Sequence, residues 1–374
     1  MRLVHLVDDP GIAWGGPKGA SVHVAELARA VAAQGAEVLV LVTAVHDPAP
    51  PAPAGVTVEV LPGPGKGASA AERVAATPAR AAWVRDALRR WRADALYERF
   101  ALHSTVGIEA AADRRIPHLA ELNAPLPEEA ARYRSLDDPG LAVELEGRVL
   151  AGCDAVLAVS SPLARYAADR GARRVELCPN AVDPGRFWAA AARRQPPTAV
   201  FTGRLRPWHG AATLADAWRL LGAGAPRLVV VGDGDGRDGL VAAGAEVTGA
   251  VAHDRVPALL AGAQIGVVPY PADAPTYFSP LKLFEYLAAG LAVVAADLPG
   301  VREVAGDVAV LVAPGDPAAL ADAVATLAAD PDRRARLGAA GRATVLARHT
   351  WAQRAHRVRE LAGELRLAPA AAPR

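Results

Sequence analysis

Short apolar runs alternate with helical patterns along the first half of the chain. Residues 2–7 and 37–43 are continuous apolar runs of strand length, and residues 21–34 between them carry apolar side chains at helical spacing. The alternation continues and predicts strands at 56–60, 95–98, 118–122, 154–159 and 175–178, and helices at 78–91, 104–113, 141–151 and 162–170. Such repetition is typical of a parallel sheet with helices on both faces.

The alternation stops at a turn-rich stretch and then begins again. Residues 179–184, Pro-Asn-Ala-Val-Asp-Pro, form a cluster of turn formers. Beyond it the pattern predicts strands at 198–202, 227–231, 246–247, 265–268, 292–295 and 308–312, with helices at 211–221, 255–261, 281–289, 318–329 and 333–348. We therefore predict an α/β protein of two Rossmann-like domains, at residues 1–182 and 183–350.

Composition narrows the class of protein further. The 374 residues are 52% apolar and 22% charged with a net charge of +1, so no overall field favours nucleic acid. Abundant Ala, Arg and Pro suggest a GC-rich genome, and we expect a bacterial source. Cys153 and Cys178 lie in or beside apolar strands, so we expect buried free thiols rather than a disulfide or a zinc site.

The chain shows no sign of a segment that enters a membrane. No leader pattern precedes the first strand, and no apolar run reaches about 18 residues, so we expect a cytoplasmic protein. Peripheral contact at the inner face of the membrane stays open, because the helix at 78–91 combines basic and aromatic residues that could touch anionic lipid. A solvated face with packed tryptophans is the commoner interpretation. The residues concerned are Arg80, Arg85, Arg89, Arg90, Trp83 and Trp91.

Three glycine-containing loops follow predicted strands. Residues 15–19 (Gly-Gly-Pro-Lys-Gly) lead into a helix, residues 202–210 hold two arginines and a histidine, and residues 231–236 alternate Gly and Asp. In parallel sheets, ligands bind beyond the carboxyl ends of the strands, and helix N-termini there favour anions. An ordinary turn or a solvated basic loop is the alternative for each of them.

A fourth segment, residues 277–290, is more informative. Ser279 is suited to the N-cap and Pro280 to the first position of a helix. Lys282 then lies in the first turn, where a cation opposes the helix dipole, which suggests an anion to neutralise. Glu285 on the same helix could accept two hydrogen bonds from a ribose diol, or it could simply face solvent.

Residues 279–290 (Ser-Pro-Leu-Lys-Leu-Phe-Glu-Tyr-Leu-Ala-Ala-Gly) with 292–295 resemble the signature of the family 4 glycosyltransferases of GT-B fold. The resemblance covers nearly the whole chain, because other segments agree in order and spacing. These segments are residues 15–16, 22–28, 179–183, 203–210, 231–234, 249–251 and 268–270.

The resemblance implies two facing Rossmann-like domains with an interdomain cleft. It places the acceptor side on the N-terminal domain and the donor on the C-terminal domain, with the last helix, about 351–367, packing back onto the first. It implies a hexosyltransferase that moves sugar from a nucleoside-diphosphate-sugar to an acceptor hydroxyl with retention, without a metal or other cofactor. The base, the donor sugar and the acceptor (a glycan, a lipid or a small molecule) stay open.

The resemblance also assigns residues to the donor. Arg204 and Lys282 stabilise the departing diphosphate, Glu285 holds the ribose, and Gly15 and Gly16 approach the phosphate. The other implied donor contacts serve the diphosphate, the sugar or the base, and they are Arg206, His209, Gly232, Gly234, Val251, Phe278, Ser279, Pro280 and Leu281.

Three positions depart from the family pattern. Tyr277 replaces the first of two glutamates, for which Asp273 is a weak substitute. His209 stands where a lysine is usual, and we expect it to be partly protonated near neutrality. Asn123 stands where a histidine is expected.

Two further expectations follow from these departures. Glu121 and Asn123, together with His103, are the acceptor-side and catalytic candidates, although caps or satisfied polar contacts explain them equally well.

Two rival functions remain. One is a nucleotide-sugar epimerase of the same fold, and the other is a non-catalytic two-domain protein that binds sugar or nucleotide.

Overall fold

The computed structural model describes residues 1–112, 116–188, 191 and 194–367. These residues form two compact units. Unit 1 comprises Met1–Cys178 and the segment that begins at Trp351, and unit 2 comprises Pro179–Thr350. Each unit is built on its own parallel sheet.

The sheet of unit 1 has seven parallel strands in the order β3-β2-β1-β4-β5-β6-β7. The order reverses between β1 and β4, as in Rossmann folds. The strands are β1 Arg2–Val7, β2 Glu37–Val42, β3 Val56–Val60, β4 Ala95–Arg99, β5 His118–Leu122, β6 Ala155–Ala158 and β7 Val175–Leu177. The helices between them are α1 Gly19–Ala33, α2 Ala70–Arg90, α3 Val106–Ala111, α4 Leu126–Tyr133, α5 Pro139–Gly152 and α6 Ser161–Asp169.

Unit 2 repeats the same topology with six parallel strands in the order β10-β9-β8-β11-β12-β13. Its order reverses between β8 and β11. The strands are β8 Thr198–Thr202, β9 Arg227–Val231, β10 Glu246–Gly249, β11 Ile265–Val268, β12 Ala292–Ala296 and β13 Ala309–Val312. The helices are α7 Ala211–Leu221, α8 Arg237–Ala242, α9 Val256–Ala261, α10 Leu281–Ala288, α11 Pro299–Ala305, α12 Pro317–Ala329 and α13 Pro331–Arg348. The predicted α/β class with two Rossmann-like sheets is confirmed.

The last helix, α14 (Trp351–Leu367), packs against α1 within unit 1. The Trp351 ring meets the His23 ring edge to face at 4.9 Å between centroids. The fully buried carboxylate of Glu121, on β5, contacts the Arg354 guanidinium, and its Oε1 lies 2.6 Å from His23 Nε2. Burial alone raises the pKa of a carboxyl, but His23 and Arg354 hold the pKa of Glu121 well below its usual range.

Some helix boundaries differ from the sequence prediction, most clearly where a capping box sets the start of the helix. Helix α2 begins at Ala70, eight residues before the predicted start at Pro78, because Ser69 and Glu72 form a capping box. Pro78 therefore lies inside the helix. Helix α3 ends at Ala111, and residue 113, the predicted end, lies outside the described residues. Helices α4, α8 and α11 were not predicted.

The basic and aromatic residues of α2, and Trp91 directly after it, largely make contacts within unit 1. Trp83 and Trp91 pack against a buried core cluster, and the Arg80 side chain is buried against Asp8. The Arg90 guanidinium lies 3.1 Å from Glu59. Both tryptophans therefore contribute to the core. In the described part of the chain, no helix has the length and apolar character needed to cross a membrane.

Candidate functional site

Two loops at the carboxyl edge of the unit 2 sheet lie side by side because of their glycines. The loop after β9 contains Gly232 with φ +154°, and a Cβ there would lie 1.9 Å from the Gly203 carbonyl oxygen. A Cβ on Gly234 would lie 3.0 Å from the Leu205 carbonyl oxygen. The Leu205 N–H donates to the Asp233 carbonyl at 2.9 Å. Close packing of the two loops thus requires both glycines, which shape this edge of the sheet.

The loop after β8 carries two arginines that differ in their surroundings. The Arg204 side chain is exposed and has no ion-pair partner among the described residues. The Arg206 guanidinium lies 3.6 Å from Asp235, and its carbon lies 5.9 Å from the centre of the Trp208 ring. Arg204 is therefore the more available of the two cations for an anionic ligand.

His209 in the same loop is neutral rather than partly protonated. Burial, together with the neighbouring Lys282, lowers the pKa of His209 to about 4. Its Nδ1 lies 2.5 Å from the Arg204 carbonyl oxygen, and a carbonyl only accepts, so Nδ1 carries the hydrogen. The other ring nitrogen is then an acceptor. The expected partial charge is wrong, because the site supplies burial and cationic neighbours.

Helix α10 begins at Leu281, where the periodicity predicted it, but its N-cap is not the predicted Ser279. Its N-cap is Pro280, which has no side chain able to cap, and its first residue is Leu281. The predicted N-cap, Ser279, is instead buried and used elsewhere: its hydroxyl accepts from the Asn180 backbone N–H at 3.1 Å. The first N–H groups of α10 therefore have no side-chain cap.

Lys282, in the first turn of α10, carries a buried ammonium group without a hydrogen-bond partner in the described part of the chain. The nitrogen lies 3.9 Å from the centre of the Phe201 ring. A Cβ on Gly203, which has φ +127°, would lie 3.1 Å from this nitrogen. Burial lowers the pKa of Lys282 to about 7, against the opposing effect of Glu285. A buried amine with no hydrogen-bond partner is a group for which an anionic ligand would be favourable.

Glu285 lies one turn further along α10 and is held by a histidine that sequence reasoning missed. His253 Nε2 lies 2.7 Å from Glu285 Oε1. His253 opens a short 3₁₀ turn, His253–Arg255, that follows β10. The two residues are 32 positions apart, so no local pattern in the sequence could have paired them.

Aromatic side chains line the approach to α10. The Phe278 ring lies 5.2 Å from the Tyr270 ring and 5.2 Å from the Tyr277 ring, measured between centroids. Val251, a predicted contact of the base, is partly buried against the core of unit 2. Tyr277 thus belongs to an aromatic group at the position where the family pattern has a carboxylate.

Gly15 and Gly16, in unit 1, pack so closely against neighbouring residues of the same unit that a side chain would clash. Gly15 has φ +74°, and a Cβ there would lie 2.1 Å from Pro50 Cδ. A Cβ on Gly16 would lie 3.0 Å from the Ser21 hydroxyl oxygen. Helix α1 behind them has no side-chain cap at its N-cap residue, Lys18. The Pro-rich loop thus fills the space that a side chain at residue 15 would need.

The three acceptor-side candidates differ in their contacts. Glu121 is fully buried within the α14 contact described above. Asn123 follows β5, and its side-chain nitrogen is buried without a partner among the described residues. His103 follows β4 with φ +59°, and its Nε2 is also buried without a partner there. Asn123 and His103 therefore each have a polar nitrogen without a partner among the described residues. The Glu121 carboxylate, in contrast, is already paired with His23 and Arg354.

A further buried cluster at the end of β1 was not predicted. Asp8 contacts the Arg80 guanidinium, and Ser104 donates its hydroxyl to Asp8 at 2.6 Å. Burial raises the pKa of Asp8 to about 6 against the opposing effect of Arg80. In the ranges that the structure describes, no group of three or more His, Cys, Asp or Glu side chains is placed to hold a metal ion.

Comparison with protein families gives two matches that follow the division of the chain. Residues 17–186 match the model described as glycosyltransferase family 4, and residues 196–330 match the model described as glycosyl transferases group 1. The chain belongs to the family 4 glycosyltransferases. It is therefore a sugar-transferring enzyme, and the predicted family and class of enzyme are confirmed.

Solved structures show that this glycosyltransferase has the GT-B fold. Sucrose-phosphate synthase from Thermosynechococcus elongatus is similar with a TM-score of 0.79 and 21% identity, over 98% of this chain and 99% of that one. HepE from Anabaena, solved in complex with UDP, is similar with a TM-score of 0.73 and 20% identity, over 97% of this chain and 100% of that one. No curated protein matches the chain.

Proposed function

We propose that the enzyme is a retaining, metal-independent glycosyltransferase that takes its sugar from a nucleoside-diphosphate-sugar bound by unit 2. The observation that carries the proposal is the buried ammonium of Lys282, which has no hydrogen-bond partner in the described residues. It lies at the uncapped start of α10. Because HepE has also been solved with UDP-glucose, a uridine nucleotide is the first donor to test.

Three cationic or polar groups are proposed to stabilise the leaving diphosphate. Lys282 would donate to it from the interior, Arg204 would reach it from the exposed loop, and the first N–H groups of α10 would add their dipoles. Arg206 is a weaker contributor because Asp235 lies 3.6 Å from it. With these groups the site itself supplies the positive charge that a divalent cation supplies in other transferases.

In the proposed step, the bond between the anomeric carbon and the diphosphate oxygen breaks through an oxocarbenium-like transition state. The acceptor hydroxyl attacks from the same face, and the new bond joins its oxygen to the anomeric carbon. Its proton passes to the departing phosphate oxygen, so the product is a glycoside and a nucleoside diphosphate. For the acceptor we propose contacts with Asn123 and His103, whose buried nitrogens have no partner among the described residues.

The first test is a thermal-shift screen with UDP, GDP, ADP and their sugar conjugates, with and without EDTA. A ligand that binds only the folded state at 100 times its Kd adds about 2.7 kcal/mol of stability and raises the melting temperature. We expect one nucleotide to give a clear shift that EDTA leaves unchanged. A flat response to every donor would refute donor binding, and a shift abolished by EDTA would refute the metal-free site.

The second test examines the reaction itself. With the donor found in the screen, slow hydrolysis or transfer is followed by proton NMR of the anomeric signal. We expect the first product formed to have the donor's own anomeric configuration. The opposite configuration would overturn retention, and isomerisation of the donor without any acceptor would establish an epimerase instead.

A further inference from the structure

The contact between His253 and Glu285 is an arrangement that the proposed donor chemistry does not by itself require. His253 Nε2 lies 2.7 Å from Glu285 Oε1. Since a carboxylate oxygen only accepts, Nε2 carries the hydrogen and donates it. The histidine side chain is 24% exposed and the glutamate side chain 11%, so the pair lies at the surface of the site and not in the core.

This contact determines where the Glu285 carboxylate can go. Lys282 and Glu285 are three positions apart on α10, a spacing at which side chains of opposite charge normally pair. The Lys282 ammonium nevertheless has no hydrogen-bond partner among the described residues. The carboxylate is engaged by His253 on the neighbouring turn instead. The Glu285 carboxylate is thus hydrogen-bonded to His253 and not to Lys282.

We propose that His253 is a positioning residue for the nucleotide: it holds the Glu285 carboxylate toward the ribose diol and away from Lys282. The inference rests on the proposed function and deepens it. An already oriented carboxylate loses less side-chain freedom when the ribose binds. An unpaired Lys282 ammonium likewise stays available for the diphosphate. One contact therefore prepares the recognition of two parts of the same ligand.

The inference predicts two linked defects when the contact is removed. In His253→Ala, Glu285 is free to turn toward Lys282, so binding of the nucleoside diphosphate should weaken about tenfold. Discrimination between the ribose ligand and its 2′-deoxy analogue should also decline. We expect the wild-type enzyme to bind the 2′-deoxy nucleotide about tenfold more weakly, and His253→Ala to bind the two within about twofold of each other.

The experiment is calorimetric titration of the full chain with UDP and 2′-deoxy-UDP, or with the base selected by the thermal-shift screen. His253→Gln is the rescue variant, because its amide nitrogen lies near the position of Nε2, and it should keep the discrimination. His253→Asn places its amide nearer Nδ1 and should lose it. His356→Ala is the matched control, since His356 and Glu360 form an exposed pair at 3.1 Å on α14.

The outcomes separate the inference from the function on which it rests. If the wild-type enzyme binds no nucleoside diphosphate, both are overturned. If the wild-type binds but His253→Ala keeps the full discrimination against the 2′-deoxy nucleotide, only the role of His253 is overturned. Should His253→Ala not fold, equal discrimination by the Gln and Asn variants would overturn it in the same way.

Discussion

The two units bury charged side chains in opposite ways. In unit 1, the Glu121 carboxylate contacts Arg354 and lies 2.6 Å from His23 Nε2, with Arg99 at 3.4 Å. In unit 2, the Lys282 ammonium is buried without a hydrogen-bond partner among the described residues. A buried charge that is fully paired holds structure together, whereas a buried charge that lacks a partner lowers stability until something binds to it.

The contrast also explains why one candidate from the sequence is a weaker proposal than another. Glu121 lies near the carboxyl end of strand β5, and Lys282 lies near the amino end of helix α10. Both ends are at the ligand edge of their sheets, and the sequence predicted both residues as catalytic. Only the structure shows that the partners of Glu121 come from α1, β4 and α14. We therefore leave Glu121 out of the proposed acceptor contacts and keep Lys282 in the donor site.

The sharpest way to test the paired cluster is Arg354→Met. The change leaves the Glu121 carboxylate buried without its main counter-charge, so we expect a loss of about 3–5 kcal/mol in the stability of unit 1. Urea unfolding measures the effect. The control is Arg302→Met, which removes an exposed pair with Asp297 and should change stability by about 0–1 kcal/mol. Equal losses in the two variants would contradict the assignment of a structural role.

The opposite result is expected for the unpaired cation. Lys282→Met should weaken nucleoside diphosphate binding by roughly 30- to 100-fold, because a charged hydrogen bond to the ligand is lost. Thermal stability without ligand should stay the same or increase, since a buried unpaired amine is removed. Calorimetry and thermal unfolding measure the two effects, with exposed Lys66→Met as the control. A variant that is destabilised and still binds would reverse our distinction between the units.

The two arginines of the β8 loop should differ by less. Arg204→Ala should lower kcat/KM by about tenfold, because its guanidinium is free to contact the diphosphate. Arg206→Ala should lower it by only about threefold, since Asp235 already lies near Arg206. Steady-state kinetics with varied donor compare them. Near-normal turnover of a folded Arg204→Ala enzyme would show that the assignment of the phosphate contact is wrong.

An effect smaller than that of Arg204→Ala is expected in the pH dependence of binding. With the pKa of Lys282 lowered to about 7, the ammonium of the free enzyme loses its proton as the pH rises past that value. An anion binds the charged form, so nucleoside diphosphate affinity should fall about fivefold between pH 7 and pH 8. Calorimetry across this range measures the decline. Lys282→Arg, which stays charged, should flatten it, and an equal slope in that variant would assign the effect to another group.

The same lowered pKa has the opposite effect on folding. Between about pH 7 and the ordinary lysine value of 10.5, the unfolded chain binds more protons at Lys282 than the folded chain does. Stability from this group therefore rises with pH through that window and is lowest below it. Binding and stability thus respond to pH in opposite directions at one residue.

The periodicity of the sequence was sufficient to predict the two sheets, because fully buried parallel strands leave continuous apolar runs. Helix starts were less predictable. Pro78 suggested the start of α2, but the capping box of Ser69 and Glu72 starts the helix at Ala70. The Ser279 hydroxyl accepts from the Asn180 N–H instead of capping α10. Local patterns contain no information about such tertiary competition.

The candidate site was predictable to the same degree. Arg204, Lys282 and Glu285 lie in motifs that can be recognised in the sequence. The structure places the Lys282 nitrogen beside Gly203, in the same loop as Arg204. The contact with His253 depends on two segments 32 residues apart, and the contact of Glu121 with Arg354 on segments 233 residues apart. Pairings at such separation are set by the folded sheet and not by spacing along the chain.

Helix α14 also bears on how the protein is made. Unit 1 contains the first and the last described segments of the chain, so it lacks a helix until the ribosome has passed Leu367. Unit 2 is continuous and has all its residues once Thr350 has emerged. Until α14 arrives, Glu121 has no Arg354 opposite it. We therefore expect the segment synthesised second to reach its native state first, reversing the usual N-to-C order of domain folding during translation.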